Sequence, residues 1–165
     1  MGKRYRAGMY GGKFMPYHRG HLFCLETASA MCDTVWQLLM VGCVQEEEIL
    51  SAANACDRQL LSPESRLRHM LAAAERLGNV KTLLIDVSRC RTPDDQEDWD
   101  AETPLVLKAC GHFEAVFGSE PSYAPYFARA YPWADYILVD PPRFYYPISG
   151  TALRLGEEDC DKWIV

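Results

Sequence analysis

The sequence predicts an α/β fold, a Rossmann-like doubly wound sheet of about five parallel strands with helices on both faces. The first observation is that short apolar runs, typical of strands, alternate with segments of helical periodicity along the chain. The second is that the segments between successive runs are long enough for the crossovers that parallel strands need. The third is size, because 165 residues with 48% hydrophobic content suit one core. We therefore predict a single domain over residues 1–165.

The first quarter of the chain predicts two strands and the helix between them. Tyr5–Tyr10 reads as a strand that ends in two glycines, and residues 22–32 repeat their apolar side chains at helical spacing. Val35–Val44 is almost continuously apolar, which is typical of a strand buried on both faces. Residues 45–61 are acidic and irregular, and we predict no regular element there.

The middle of the chain predicts a second helix and a third strand. Ser62 and Pro63 start the helix, because serine caps a first turn and proline fits the first helical position, where no backbone donor is needed. The helix runs to residue 77, and Val80–Val87 is the third strand. Residues 89–104 are polar and acidic, and they predict an exposed loop.

The last third of the chain predicts the two remaining strands and three short helices. The strands lie at residues 113–118 and 136–139. The helices lie at residues 105–110, 123–131 and 148–155. Ligands of doubly wound sheets bind beyond the carboxyl ends of the strands. The first strand-to-helix loop is therefore the first candidate for a ligand site.

Composition and charge argue against several classes of function. The chain holds 17 Lys and Arg against 23 Asp and Glu, and this net charge of −6 argues against a non-specific nucleic-acid binder. The apolar stretch at residues 35–44 is far shorter than the ~20 residues of a membrane-spanning helix, so we predict no membrane partner. The seven cysteines form no C-x-x-C pair, which predicts reduced thiols in a cytoplasmic protein without a zinc or redox motif.

The loop after the first predicted strand combines glycines, histidines and a lysine. Gly11 and Gly12 allow a ligand to approach the backbone closely. His18 and His21 stand three residues apart at a helix start, where unpaired backbone N–H groups favour anions, and Lys13 adds positive charge. The spacing alone leaves open two ordinary histidines, or a weak metal pair without a third ligand. The P-loop and dinucleotide-binding patterns are both absent.

Two segments carry a resemblance to a known family. Residues 12–21, GKFMPYHRGH, resemble the G-x-F-x-P-x-H-x-G-H signature of the nucleotidyltransferase superfamily with the HIGH-type motif. Residues 148–154, ISGTALR, resemble its second signature, I-S-x-T-x-x-R. The chain is most similar to nicotinamide mononucleotide (NMN) adenylyltransferases, including the adenylyltransferase half of the enzymes that also carry a ribosylnicotinamide kinase. The resemblance covers nearly the whole chain.

The resemblance implies which residues hold the substrates. It implies that His18, His21, Lys13 and Arg154 are catalytic, with His21 nearest the α-phosphate of ATP and Lys13 between the two reacting phosphates. The residues that it implies for ATP binding are Gly11, Gly12, Phe14, Gly20, Gly118, Ser119, Ile148, Ser149 and Thr151. It also implies that Mg²⁺ arrives with the ATP, without a dedicated metal site on the protein. Taken one at a time, Ser149 and Thr151 are more typical of simple helix caps than of a phosphate site.

The acceptor is expected to be a pyridine mononucleotide held by Trp99, Arg66 and Arg143. A pyridinium ring over an indole is a favourable cation–π pair, although a tryptophan in this loop is equally typical of one that folds back on the core. Arg66 is equally typical of an exposed helix residue. The resemblance leaves the choice between the nicotinamide and nicotinate forms open.

The sequence is also compatible with other functions. A phosphopantetheine or glycerol phosphate acceptor, cytidylyl instead of adenylyl transfer, and a nucleotide sensor without turnover all share the same phosphate site. The sequence does not exclude association into a homo-oligomer either.

Overall fold

The computed structural model describes residues 2–165, apart from the side chain of Cys56. The strands are β1 (Tyr5–Gly12), β2 (Cys32–Val41), β3 (Val80–Asp86), β4 (Ala115–Gly118) and β5 (Asp135–Leu138). The helices are α1 (Arg19–Met31), α2 (Val44–Ala52), α3 (Ala55–Leu61), α4 (Pro63–Leu77), α5 (Trp99–Cys110), α6 (Ala124–Ala130), α7 (Gly150–Arg154) and α8 (Cys160–Trp163). Within this part of the chain, no helix has the length and apolarity needed to cross a membrane.

The five strands form one parallel sheet in the order β3-β2-β1-β4-β5. The chain moves outward from β1 through β2 to β3, and then returns to the other side of β1 to add β4 and β5. The direction of winding therefore reverses between β1 and β4. This topology confirms the predicted doubly wound α/β fold, and it opens a crevice at the carboxyl end of β1.

Helices cover both faces of the sheet, as predicted. On one face, Leu25 of α1 and Met70 of α4 are completely buried against the central strands. On the other, Val106 of α5 is buried in a second cluster with Phe113 and Tyr131. Both cores press on the inner strands, so the ends of β1 and β2 have a rigid support on either side.

The acidic stretch 45–61 is not irregular, and here the prediction is wrong. It folds into α2 and α3, and each helix has a side-chain cap: the Cys43 thiol accepts the N–H of Glu46 at 3.4 Å, and Asn54 accepts that of Asp57 at 2.9 Å. Acidic side chains in the first turn are favourable at the positive end of a helix. The charge density that suggested a loop therefore supports helices instead.

The prediction of a loop over residues 89–104 is also wrong at its end, because α5 begins at Trp99. The Asp98 carboxylate caps the helix by accepting the N–H of Ala101 at 3.2 Å. Pro104 lies inside the helix, although proline in a helix interior removes a backbone hydrogen bond. At other boundaries the shifts are small. Cys32, expected at the end of a helix, is the first residue of β2, and α8 follows the last predicted helix.

Candidate active site

The loop that follows β1 has a constrained backbone. Phe14 has φ of 53°, in the left-handed region that side chains rarely occupy. Its ring is buried and packs edge-on against Tyr10, Tyr17 and His21, at centroid distances of 5.2, 5.3 and 4.9 Å. This packing compensates for the unfavourable backbone conformation and fixes the loop between Gly12 and His21.

His18 and His21 together cap the N-terminus of α1. His18 Nδ1 accepts the backbone N–H of Gly20 at 3.1 Å, and His21 Nδ1 accepts the backbone N–H of His18 at 3.2 Å. The two rings stack at a centroid distance of 3.6 Å and an angle of 21°. Histidines thus take both positions of a capping box, which Ser or Thr with Glu or Gln usually fill.

The capping geometry determines where each imidazole carries its proton. A Nδ1 that accepts a hydrogen bond is unprotonated, so the neutral ring has its N–H at Nε2. Burial, with Arg143 nearby, lowers the pKa of His18 to about 4. Burial, with His18 and Arg143 nearby, holds the pKa of His21 well below its usual range. Near neutral pH the pair therefore presents two Nε2–H donors.

The start of α7 lies directly against this loop. Ser149 caps the helix, its Oγ accepting the N–H of Ala152 at 3.1 Å. Arg154 donates from Nη1 to the carbonyl of Met15 at 2.6 Å, and from Nη2 to Thr151 Oγ at 3.2 Å. One arginine thus joins the two segments that carry the family-like signatures.

Both segments line one cavity of about 300 Å³ at the carboxyl end of β1. This volume falls within the range of small-molecule sites. Of the residues proposed from the sequence, it is lined by Gly11, Gly12, Lys13, Phe14, His21, Trp99, Arg143, Ser149, Thr151 and Arg154. These residues come from several loops that are distant in sequence, and the fold brings them together.

A smaller cavity of about 110 Å³ adjoins the first and shares His21, Arg143 and Ser149 with it. Four further residues proposed from the sequence line it: His18, Gly20, Ser119 and Ile148. Gly118 is in neither set. It ends β4 beside Tyr136, whose hydroxyl would lie 2.7 Å from a Cβ at this position. The glycine therefore serves the packing of β4 against β5.

Arg143 reaches both cavities from a turn that Asp140 organises. The Asp140 carboxylate accepts the backbone N–H groups of Phe144 at 2.7 Å and Tyr145 at 2.9 Å. Asp140 and Arg143 both have left-handed backbones, with φ of 48° and 54°. The turn therefore presents an exposed guanidinium to the space between the histidines and α7.

Arg66 does not line either cavity. It is completely buried, and its Nη2 pairs with Glu46 Oε1 at 2.6 Å. Its Nη1 donates to the carbonyl of Lys13 at 2.8 Å, and its Nε donates to that of Leu61 at 2.8 Å. Arg66 was predicted to bind the acceptor. It lies in the first turn of α4 and instead holds the backbone of Lys13 in place by this hydrogen bond.

Trp99 forms a wall of the main cavity with aromatic neighbours. Its ring meets Tyr123 and Tyr126 nearly at right angles, at centroid distances of 4.9 and 5.2 Å. Its indole N–H donates to Glu97 Oε2 at 3.1 Å, which sets the ring's orientation. The cavity is also lined by Tyr123, Tyr126 and Glu97, which the sequence did not predict as site residues.

Two carboxylates, Glu97 and Glu102, face this end of the cavity. Burial alone would raise the pKa of Glu97, but the Trp99 indole and Lys13 lower it on balance. Burial raises the pKa of Glu102 to about 7, with Glu97 and Asp98 adding to the shift. The acidic composition of residues 89–104 was visible in the sequence, but the start of α5 that turns Glu102 inward was not.

The cavity is thus cationic at one end and acidic and aromatic at the other. Arg143 and Arg154 lie on its wall with His21, and Glu97 and Glu102 lie there with Trp99. Lys13 is close enough to both carboxylates for its charge to act on the pKa of each. Such a site suits a ligand with an anionic chain and a ring that is not anionic. Among the described residues, no three His, Cys, Asp or Glu side chains are grouped to bind a metal ion.

Comparison with known proteins identifies the family. The cytidylyltransferase-like family model matches residues 9–155. The chain is 24% identical over 149 residues to the trifunctional NAD biosynthesis/regulator protein NadR of Escherichia coli. That match covers 89% of this chain and 36% of NadR, so the chain spans about a third of the length of that curated relative.

Solved structures share the fold. A NadR protein in complex with NR superposes with a TM-score of 0.67 at 19% identity, covering 98% of this chain and 43% of the other. A bifunctional NMN adenylyltransferase/ADP ribose pyrophosphatase from Francisella tularensis has a TM-score of 0.63 at 21% identity, covering 92% of this chain and 42% of the other. At these identities the likeness is one of architecture.

Proposed function

Because the chain belongs to the cytidylyltransferase-like family of nucleotidyltransferases, we propose that it transfers AMP from ATP to the phosphate of a pyridine mononucleotide and releases pyrophosphate. The product would be NAD or its deamido form. The observation that carries the proposal is the single cavity shared by His21, the start of α7 and Trp99. It offers donors to a triphosphate and an aromatic wall to a ring.

The chemistry needs no activated nucleophile from the protein. The second pKa of a phosphomonoester is near ~6, so the acceptor phosphate is mostly a dianion at neutral pH. One of its oxygens attacks the α-phosphorus of ATP, a new P–O bond forms, and the bond to the bridging oxygen breaks. Pyrophosphate leaves with that electron pair. The protein's task is to hold two anions in line and to stabilise the charge that develops between them.

The groups at the cationic end fit that task. In this proposal the Nε2–H groups of His18 and His21 donate to phosphate oxygens, with His21 nearest the α-phosphate. Lys13 lies between donor and acceptor phosphates, and Arg154 faces the β- and γ-phosphates beside Thr151. The two histidines and Arg154 are held by hydrogen bonds before substrate binds. Donors held in place in advance are the condition for strong electrostatic stabilisation of a transition state.

Mg²⁺ is proposed to enter with the ATP. Phosphate oxygens are ligands that Mg²⁺ prefers, and the ion offsets charge on the triphosphate. The described residues hold no acidic, His or Cys cluster that would bind the ion alone.

The proposal is tested by incubating the protein with ATP and Mg²⁺ and one acceptor at a time. The acceptors are NMN, nicotinate mononucleotide, phosphopantetheine and glycerol phosphate, and the readouts are pyrophosphate and the adenylylated product. We expect product with a pyridine mononucleotide, and at least about 100-fold less in His21→Ala, which loses a phosphate donor. His112→Ala, at an exposed histidine, is the matched control.

Two results would overturn the proposal. Product with phosphopantetheine or glycerol phosphate alone would assign another acceptor. Tight ATP binding without turnover on any acceptor would instead favour a nucleotide sensor.

A further inference from the structure

We propose that Glu102, assisted by Glu97, makes the site select a pyridine ring with an uncharged amide and reject one with a carboxylate. The inference rests on the proposed function and narrows it to nicotinamide mononucleotide as the acceptor. It follows from the position, the hydrogen bonding and the charge of these two side chains at the Trp99 end of the cavity.

The two carboxylates differ in how they are bonded. Glu97 accepts the backbone N–H of Gln45 at 3.2 Å through Oε1 and the Trp99 indole at 3.1 Å through Oε2, so both of its oxygens are engaged. Glu102 lines the same cavity, and its carboxylate has no hydrogen-bond partner among the residues that the structure describes. The unused acceptor is therefore Glu102, and Glu97 supplies a fixed negative charge beside it.

The two candidate rings differ in the substituent that would meet Glu102: nicotinamide carries a neutral amide, and nicotinate carries a negative carboxylate. An ionised carboxylate only accepts hydrogen bonds, and a primary amide offers two N–H donors. The nicotinamide amide can therefore donate to Glu102, while its pyridinium lies against the aromatic wall. The nicotinate carboxylate would meet two like charges in a partly buried space, which costs far more than in water.

The nearby cation does not cancel this preference. Lys13 is the positive side chain whose charge reaches both carboxylates. One ammonium against two carboxylates leaves this end negative when Glu102 is ionised. The proposed reaction also requires Lys13 at the phosphates. Lys13 therefore cannot fully neutralise the carboxylate of a nicotinate ring at the same time.

The experiment compares kcat/KM for the two mononucleotides at pH 8 in the wild type and in Glu102→Gln. We expect the wild type to prefer NMN by at least about tenfold. In Glu102→Gln we expect use of the nicotinate form to rise by about tenfold and use of NMN to fall by a few fold, because the glutamine amide can donate to a carboxylate. Glu75→Gln, at an exposed glutamate of α4, is the matched control and should keep the wild-type ratio.

A second measurement needs no variant. The wild-type preference should shrink as the pH falls from 8 to 6, because Glu102 gains a proton in that range. The shared ribose phosphate titrates equally in both substrates and cancels in the ratio. Around Glu102, Glu97 keeps its negative charge over this range because its pKa is lowered. The other charged side chains that act on Glu102 are Asp98 and Lys13. Its neutral neighbours stay neutral because burial raises the pKa of each: Cys43, Cys90, Tyr123 and Tyr126.

The outcomes separate the two proposals. Equal use of both mononucleotides, a preference for nicotinate, or a ratio that neither Glu102→Gln nor pH changes would overturn the selection by Glu102 and leave adenylyl transfer intact. Absence of product with either mononucleotide would overturn both.

Discussion

His18 illustrates how one side chain can serve both the fold and the site. Its Nδ1 accepts the N–H of Gly20 and caps α1, while its Nε2–H remains for a ligand. The residue is only 5% exposed, so the cap also keeps an imidazole in an environment that disfavours its charged form. A buried neutral histidine has a consequence for stability that can be measured without any substrate.

The free energy of unfolding should fall on acidification because of this histidine. Burial, then Arg143, lowers the pKa of His18 to about 4, against 6.5 in the unfolded chain. Between those values the unfolded chain binds a proton that the native state does not. The contribution of His18 to the free energy of unfolding is therefore complete above pH 6.5. It is lost as the pH falls towards 4, and the total loss is roughly 3 kcal/mol.

Urea unfolding at pH 7 and pH 4.5 checks this prediction. His18→Asn keeps a side-chain oxygen for the helix cap and removes the titrating ring. The loss of stability on acidification should be smaller in this variant than in the wild type by roughly 2 kcal/mol. An equal loss in both proteins would mean that His18 is not buried in its neutral form.

At the scale of elements, the contact between α7 and the β1 loop depends on Gly150. A Cβ at this position would lie 2.8 Å from the carbonyl oxygen of Met15 and 3.0 Å from Arg154 Nη1. The first of these atoms is backbone in a tightly packed loop, so it cannot move aside easily. A glycine is therefore needed for the close approach that brings Thr151 and His21 to one cavity.

Gly150→Ala should move α7 away from the loop and weaken ATP binding. We expect Kd for ATP to rise by about tenfold or more, because losing one hydrogen bond to a charged phosphate costs about 1.5 kcal/mol or more. Calorimetric titration with a non-hydrolysable ATP analogue measures it. Gly2→Ala, where a Cβ meets nothing within 4 Å, is the control. Unchanged affinity in Gly150→Ala would show that α7 does not hold the nucleotide.

The Glu46–Arg66 pair connects α2 and α4 beneath the site. It lies in the interior, with Glu46 also accepting the N–H of Gly42 at 2.9 Å. Removing one partner of a buried pair leaves an uncompensated charge, so Arg66→Met and Glu46→Gln should each lower the free energy of unfolding by about 3–5 kcal/mol. The double variant should lose much less than the sum. Urea unfolding of the four proteins measures the coupling, and additive losses would contradict it.

The sequence predicted the sheet well because its signals are local. The apolar run that predicts β2 lies within that strand. In the same way, the start of α4 is predicted by Ser62 and Pro63 at the beginning of that helix. The roles of Arg66 and Glu102 could not be predicted in the same way. Arg66 stands on α4 yet pairs with α2, and α2 was invisible because its acidic residues resemble a loop. Glu102 faces the cavity because α5 starts at Trp99, earlier than the apolar pattern indicates.

At the scale of the whole molecule, the site joins segments that lie far apart in the sequence. The net charge is −6, yet Lys13, Arg143, Arg154 and His21 line one cavity, and His18 lines the smaller cavity that adjoins it. Arg154 and Met15 meet across 139 positions of sequence, and His18 forms an isolated antiparallel bridge with Ile164. A ligand that binds both segments must therefore stabilise the closure of nearly the whole chain.

Hydrogen exchange with a non-hydrolysable ATP analogue tests this joint closure. We expect the amides of residues 12–21 and 148–154 to become protected together, because the nucleotide adds its binding free energy to any opening that separates them. At 100 times Kd that addition is about 2.7 kcal/mol, so exchange through such openings should slow by about 100-fold. The surface of α4, which lies away from the cavity, serves as the internal control. Protection of residues 12–21 alone would mean that α7 packs against the loop without sharing the ligand, since a shared ligand cannot slow one segment and leave the other unchanged.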